Sequence, residues 1–198
     1  KDLQKIKELL PRRQTIEKSK LNKEDKIFFL LEDCRRYGTL PFAGLARAGF
    51  MAVQMLKSLV SQGVFSQGDF DAFLGSVSTV SGQLARDRAK LDKATFLSRY
   101  GHLRPGTYDI LSPRYDEAPE LYFDWKQQPP EPESFKPFTL ALSQMREIVK
   151  LLQAHDLQPD AVGLFDFIQS GIELRELAKF HFTRNLSDAL ALITEIGG

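Results

Sequence analysis

The stretch Phe42-Ala-Gly-Leu-Ala-Arg-Ala-Gly-Phe-Met-Ala-Val-Gln-Met-Leu-Lys-Ser-Leu-Val-Ser-Gln62 decides the fold class. Its apolar residues Leu45, Ala48, Ala52, Leu56, Leu59 and Val60 recur three or four apart, the spacing that lines one face of an α-helix. The spacing predicts a helix over 42–62, with Gly63 as its stop. Small residues at Ala43, Gly44, Ala46, Ala48, Gly49 and Ala52 would let another backbone approach closely. The helical period continues on both sides. Upstream, Asn22 is placed to cap a helix with Glu24 and Asp25 at the positive end of its dipole. Its inner stripe is Ile27, Leu30, Leu31 and Cys34, and Gly38 would end it. Downstream, Phe70, Phe73, Leu74 and Val77 stripe a third helix, and Leu84 to Tyr100 reads as one or two more.

Past the break at 101–137 the pattern resumes. Ala141, Met145, Ile148, Val149 and Leu152 stripe a helix ending near His155, and another runs from Ala161 to Phe182. Asn185 or Ser187 then begins a last helix carrying Leu186, Leu190 and Ile193. Sustained strand-like alternation is missing throughout. The expected fold is all-α, an irregular helical bundle with a long ordered Pro/Gly-rich loop. It is read as a single domain over 1–198: an N-terminal segment 1–20, helices over 21–100, a site loop and spacer over 101–137, and helices over 138–198.

That loop holds seven of the ten prolines, Pro105, Pro113, Pro119, Pro129, Pro130, Pro132 and Pro137. Residues before proline are pushed away from the helical region, so an irregular connection follows. Residues 101–125 mix glycine, proline, histidine and arginine with Tyr108, Tyr115, Tyr122, Phe123 and Trp125, which points to an ordered, site-bearing loop. Residues 127–132 are polar and proline-rich and read as an exposed spacer.

With 198 residues, 42% of them apolar, the chain can build a substantial core. Its 27 basic and 26 acidic side chains nearly cancel, which removes the broad cationic field of a non-specific nucleic-acid binder. Only local basic spots at Lys5-Ile-Lys7 and Pro11-Arg-Arg13 speak for nucleic acid, and the expectation is no nucleic-acid partner. A single cysteine, Cys34, forms no internal disulfide and points to a reducing, cytoplasmic compartment. The longest apolar runs are five residues, against the roughly 20 that cross a bilayer, so no membrane partner is expected. The sequence starts at Lys1 and stops at Gly197-Gly198 directly after a periodic segment, which suggests a piece of a longer protein.

Most catalytic signatures are missing. Gly44-Leu-Ala-Arg-Ala-Gly49 lacks the Lys-Ser or Lys-Thr of a phosphate loop and lies inside a helical pattern, where glycine serves packing. His102, His155 and His181 have no Cys, Asp or Glu at ligand spacing, so no metal is expected. His155, near a helix end, is placed to favour the negative pole of the dipole. The exception is Phe96-Leu-Ser-Arg-Tyr-Gly-His-Leu-Arg-Pro-Gly-Thr-Tyr-Asp-Ile-Leu-Ser-Pro-Arg-Tyr115, which sets His102, Arg104, Tyr108, Asp109 and Arg114 between rigid turns. Arginine forks bind carboxylate or phosphate bidentately. The same residues are also what a loop needs to tie itself down, with Arg104 and Arg114 holding Asp109 and backbone carbonyls.

This stretch resembles a segment in the central helical domain of phosphoenolpyruvate-synthase-like phosphotransferases, a group that includes rifampicin phosphotransferase and a bacterial glutamine kinase. The family pattern is Tyr-Gly-His-Arg-Gly-Pro-Gly-Glu, an aromatic or apolar residue and Asp, then Ser/Ala-Pro-Arg-Trp. This chain keeps Tyr100, Gly101, His102, Pro105, Gly106, Asp109, Pro113 and Arg114, and departs at Leu103, Arg104, Thr107 and Tyr115. A second segment, Glu173-Leu-Arg-Glu-Leu-Ala-Lys-Phe-His-Phe-Thr-Arg-Asn-Leu-Ser-Asp-Ala-Leu190, is similar to the Arg-Glu-x-x-Lys helix of that domain and the helix after it.

The resemblance implies an acceptor-binding domain of an ATP-dependent kinase. In such enzymes an ATP-grasp domain binds nucleotide, a swivelling domain carries a transiently phosphorylated histidine, and the helical domain presents the acceptor. This chain would bind no cofactor itself; ATP and Mg would belong to the absent domain. His102 would be the catalytic group within proton-transfer reach, with Arg104, Tyr108, Asp109, Arg114, Arg175 and Lys179 binding a small polar acceptor, amino acid or sugar-like. For an amino acid, Arg104 or Arg114 would pair with its carboxylate and Asp109 with its ammonium. Arg175 and Lys179 also share a helix face at i, i+4, which reads equally as solvated surface. A competing reading is a non-catalytic helical interaction module, in which helix 42–62 docks a partner.

Overall fold

The computed structural model describes residues 2–127, 129, 136–158 and 160–197. The chain is all-α: helices follow one another along it, and no strand occurs among the described residues. The expected spacer over 127–132 lies mostly outside those residues.

The N-terminal segment is itself a helix, α1 (Asp2–Lys18), which buries Ile6, Leu9 and Ile16 despite Pro11 in its interior. Helix α2 (Lys23–Asp33) starts as its sequence dictates, with the Asn22 side chain accepting the Asp25 N–H at 2.8 Å. Gly38 does not end it. The chain passes through a π-helical turn (Cys34–Thr39) straight into α3 (Leu40–Ser61). The missing side chain at Gly38 serves packing instead, because a Cβ there would lie 2.5 Å from the Cβ of Phe182. Helix α3 does stop at Gly63, at φ 71°, where the N–H groups of Val64 and Phe65 both return to the Leu59 carbonyl.

Helices α4 (Gln67–Ser76), α5 (Val80–Lys90) and α6 (Lys93–Tyr100) follow. Ser66 and Asp69 cap α4 reciprocally, and Asp92 caps α6 through the Thr95 N–H at 3.0 Å. After the short α7 (Pro119–Tyr122) come α8 (Leu142–Ala154) and α9 (Ala161–Gly197). Helix α9 replaces the two helices expected over 161–197. Asn185 and Ser187 look like caps, yet they are 1% and 3% exposed and sit inside one continuous 37-residue helix, so tertiary burial overrides their local preference.

The described residues form two compact units, each made from separate parts of the chain. The first takes residues up to 44, 80–132 and 177 onward; the second takes 45–79 and 133–176. The second unit has a continuous apolar core of Ala52, Leu56, Leu59, Phe65, Phe73, Val77, Ile148, Leu152, Leu164 and Ile168. Here the small residues of α3 meet their partner within the chain: a Cβ at Gly49 would lie 2.9 Å from the Gly171 carbonyl oxygen, and one at Gly171 would lie 3.2 Å from that of Ala48. No described helix is long and apolar enough to cross a membrane.

Candidate functional site

Within the first unit, loop 101–125 is ordered by its own backbone. The Leu103 N–H turns back to the Tyr100 carbonyl at 2.9 Å, that of Tyr115 to Leu103 at 2.9 Å, and that of Asp116 to Gly101 at 3.1 Å. Arg104, 7% exposed, is its central tie. Its Nη1 donates to the carbonyls of Ser112 at 3.0 Å and Asp109 at 3.4 Å, and its Nη2 to the Ser187 hydroxyl at 3.4 Å. Asp109 closes a local turn by accepting the Leu111 N–H at 2.9 Å. The aromatic half of the loop packs on itself and on α6, with Phe96 against Phe123 and Trp125, and Tyr115 against Tyr122 and Phe123.

The loop rests on one face of α9. Phe180, Arg184, Ser187 and Asp188 lie at i, i+4, i+7 and i+8, a helical stripe. The His102 ring meets Phe180 edge-on at 4.8 Å, Arg184 donates to the Ser98 carbonyl at 2.9 Å, and Asp188 takes Arg114 at 2.9 Å on one oxygen. The other Asp188 oxygen is bonded by Nε of Arg13 from α1. Arg114 also grips Asp116 bidentately, at 2.9 and 2.7 Å. Arg13, 175 positions away from Asp188, and Arg114, 74 positions away, thus share one carboxylate.

This is a crowded cationic neighbourhood. Burial, helped by the positive charges of Arg184 and Arg114, pushes the His102 pKa down to about 3, so the ring is neutral. The Phe180 backbone lies near enough to oppose that shift, but neither ring nitrogen has a partner in hydrogen-bonding geometry. Burial and Arg184 lower His181 in the same direction. Burial and Arg13 lower Arg184, whose Nε is buried without a partner, as is the Nε of Arg104. Burial also acts against the charge on Arg114, but the Asp116 and Asp188 carboxylates outweigh it and its pKa is raised.

Beside Asp188 opens a cleft of about 290 Å³. Its lining combines the cations Arg13, Lys26 and Arg114 and the acids Glu17, Asp188 and Glu195 with apolar side chains that include Ile16, Leu30 and Leu192. A few fixed polar groups over an apolar surface is the usual make-up of a small-molecule site. The three cations and three acids balance, which suits a ligand carrying both signs or many hydroxyls.

Of the residues singled out in the sequence, Arg114 lines the cleft. His102 and Arg104 are buried beneath the loop, and neither belongs to the cleft wall. Asp109 and Tyr108 are exposed on the loop, Tyr108 by 69%. Lys179 is exposed on α9, and Arg175 belongs to the second unit, where its guanidinium lies 4.6 Å from the Phe50 ring centroid. The arginines of the basic spot at 11–13 are committed to carboxylates: Arg12 bonds Asp33 at 2.9 and 2.7 Å, and Arg13 bonds Asp188. Arg13, Arg184 and Asp188 were not singled out as site residues. The i, i+4 pair Arg184 and Asp188 inside the second resembling segment was a readable signal for two of them.

Among the described residues, no group of three or more His, Cys, Asp or Glu is arranged to hold a metal ion. No protein-family model, curated protein or solved structure matches the chain.

Proposed function

We propose that this chain is the acceptor-binding helical domain of a phosphoenolpyruvate-synthase-like, ATP-dependent phosphotransferase, and that its acceptor is a small polar molecule seated in the Arg13, Arg114 and Asp188 cleft. One observation carries the reading. The two segments that resemble that family, 96–115 and 173–190, are brought into direct contact, Arg104 on Ser187 and Arg114 on Asp188, at the edge of a cleft of ligand size. In phosphoryl transfer the protein chiefly positions groups and balances charge, and the cleft offers fixed charges of both signs for that task. Arg114 and Arg13 would face the acceptor's anionic or hydroxyl groups, and Asp188 and Glu17 its ammonium or hydroxyl protons. Arg104 and His102 would act from beneath, holding the loop on α9. ATP, Mg and the phosphorylated histidine would be supplied by other domains of a longer chain.

Calorimetric titration of the chain with a panel of amino acids and sugars tests this. At least one compound is expected to bind, and Arg114→Ala or Asp188→Asn to weaken it tenfold or more while the far-ultraviolet circular dichroism stays helical. If nothing in the panel binds, or if both variants bind as well as the parent, the cleft is not the acceptor site.

A second reading, a helical interaction module, draws on Phe28 and Phe29 of α2, which are 62% and 43% exposed. A sedimentation coefficient that rises with concentration, together with no ligand-dependent melting, would favour it.

A further inference from the structure

In the core of the second unit, Phe65, Phe73, Phe138 and Phe165 meet with ring centroids 5.4 to 6.4 Å apart, and their faces and edges fill the space between helices. Elsewhere in the same core the wall is aliphatic. Leu59, Ile148, Leu152 and Leu164, each 6% exposed or less, border a cavity of about 140 Å³. Branched chains held on three different helices, α3, α8 and α9, cannot collapse into that volume without moving backbone. A volume close to the roughly 150 Å³ of enclosed apolar cavities that take up benzene has room for one six-membered ring.

Its lining is not apolar all round. Ser58, Gln62 and His155 also border it, and all three are exposed, so one end of the cavity opens to water past polar groups. Met55 stands on the same wall, and a thioether favours contact with an aromatic ring over a saturated one. The remaining wall is built at a backbone cost. Asp156 sits at φ 52°, the one positive φ of a non-glycine among the described residues, and this turn lets the Leu157 N–H reach the Leu152 carbonyl at 2.9 Å. Leu157 is thereby folded back from the end of α8 to border the cavity.

We propose that this cavity is a binding site for a small molecule with one aromatic ring and one hydrogen-bonding head. The ring lies against Met55 and the four aliphatic side chains, and the head points out to Gln62 and His155. The site lies wholly in the second unit and does not rest on the phosphotransferase reading.

The test uses phenol, benzene and cyclohexanol as probes of the chain, followed by methyl NMR. Phenol is expected to move the methyl signals of Leu59, Ile148, Leu152 and Leu164 saturably, with a Kd of about 1 mM or below. Two variants close the site from different sides: Leu164→Phe fills it, and Ser58→Trp, at an exposed position, covers its mouth without disturbing the core. Either is expected to abolish the shifts while its own spectrum remains that of a folded protein. Gln62→Ala is expected to weaken phenol about fivefold and leave benzene unchanged, since only phenol has a head to bond. Absence of saturable shifts up to the solubility of phenol overturns the site, as do shifts that persist in Ser58→Trp. Cyclohexanol binding as tightly as phenol overturns the aromatic class, and an equal loss of benzene in Gln62→Ala overturns the assignment of the head.

Discussion

In the second unit the interior is carbon, from Ala52 and Leu56 through four phenylalanines to Ile168. In the first unit Asp33, His102, Arg104, Thr183, Asn185 and Ser187 are all more than nine-tenths buried, and these are the buried polar residues among those described. The two interiors respond to change in different ways. Apolar burial stabilises in proportion to area and tolerates many arrangements. A buried polar network is worth little unless each donor meets its partner, so it specifies one geometry and is costly when disturbed.

The largest expected effect lies in the carbon interior. Phe73, 4% exposed, meets Phe138 edge-on and Phe165 at a steep tilt, with ring centroids 5.4 Å apart in each pair. Phe73→Ala is expected to cost about 3–5 kcal/mol in urea denaturation, from lost transfer energy and the cavity left behind. A cost below about 1 kcal/mol would mean that this interior is loosely packed, and the contrast between the units would break.

The next effect sharpens the polar side. Burial holds the pKa of His102 near 3, below its ordinary value of 6.5, so the unfolded chain takes up a proton here that the folded chain does not. His102 therefore adds no pH-dependent cost above pH 6.5, and it destabilises the fold progressively as the pH falls from 6.5 toward 3. By pH 4 that loss is up to about 3 kcal/mol. His102→Leu is expected to lie closer to the parent at pH 7 than at pH 4, where the variant becomes the more stable of the two. His181, lowered in the same direction, remains in both proteins and cancels in the difference. A difference between parent and variant that does not change from pH 7 to pH 4 would show that His102 charges freely in the fold, and that its surroundings are wetter than its burial indicates.

What could be read in the sequence follows the range of the forces involved. Helix α3, the Asn22 cap and the Gly63 stop depend on residues within a few positions of each other, and all three were legible. Gly38 and Asn185 were misread for the opposite reason. Their local chemistry suits helix ends, but Phe182 needs the space beside Gly38, and burial holds Asn185 inside α9. The loop over 101–125 was recognisable as ordered from its turns and aromatics. Within it, no local pattern decides between scaffold and site, because Arg104 meets Ser187, 83 positions away. The partnership of Arg13 with Asp188, 175 positions apart, leaves no trace in either segment alone.

The smallest effects belong to two helix ends in the carbon interior's unit, where no polar network contributes and backbone conformation alone sets the cost. Gly63 has φ 71°, and a Cβ there would meet nothing within 4 Å, so Gly63→Ala adds the strain of the left-handed conformation, offset in part by the lost freedom of the unfolded chain. It is expected to cost about 1 kcal/mol in thermal denaturation. Asp156 makes the same kind of turn at φ 52° with a Cβ already in place. Asp156→Gly relieves that strain, but glycine also frees the unfolded chain, and the two terms nearly cancel to a gain of a few tenths of a kcal/mol at most. The asymmetry between the substitutions is the informative quantity. If Asp156→Gly instead cost about 1 kcal/mol or more, the Asp156 side chain would be making a stabilising interaction of its own, and the second unit would hold a polar determinant of the kind that distinguishes the first.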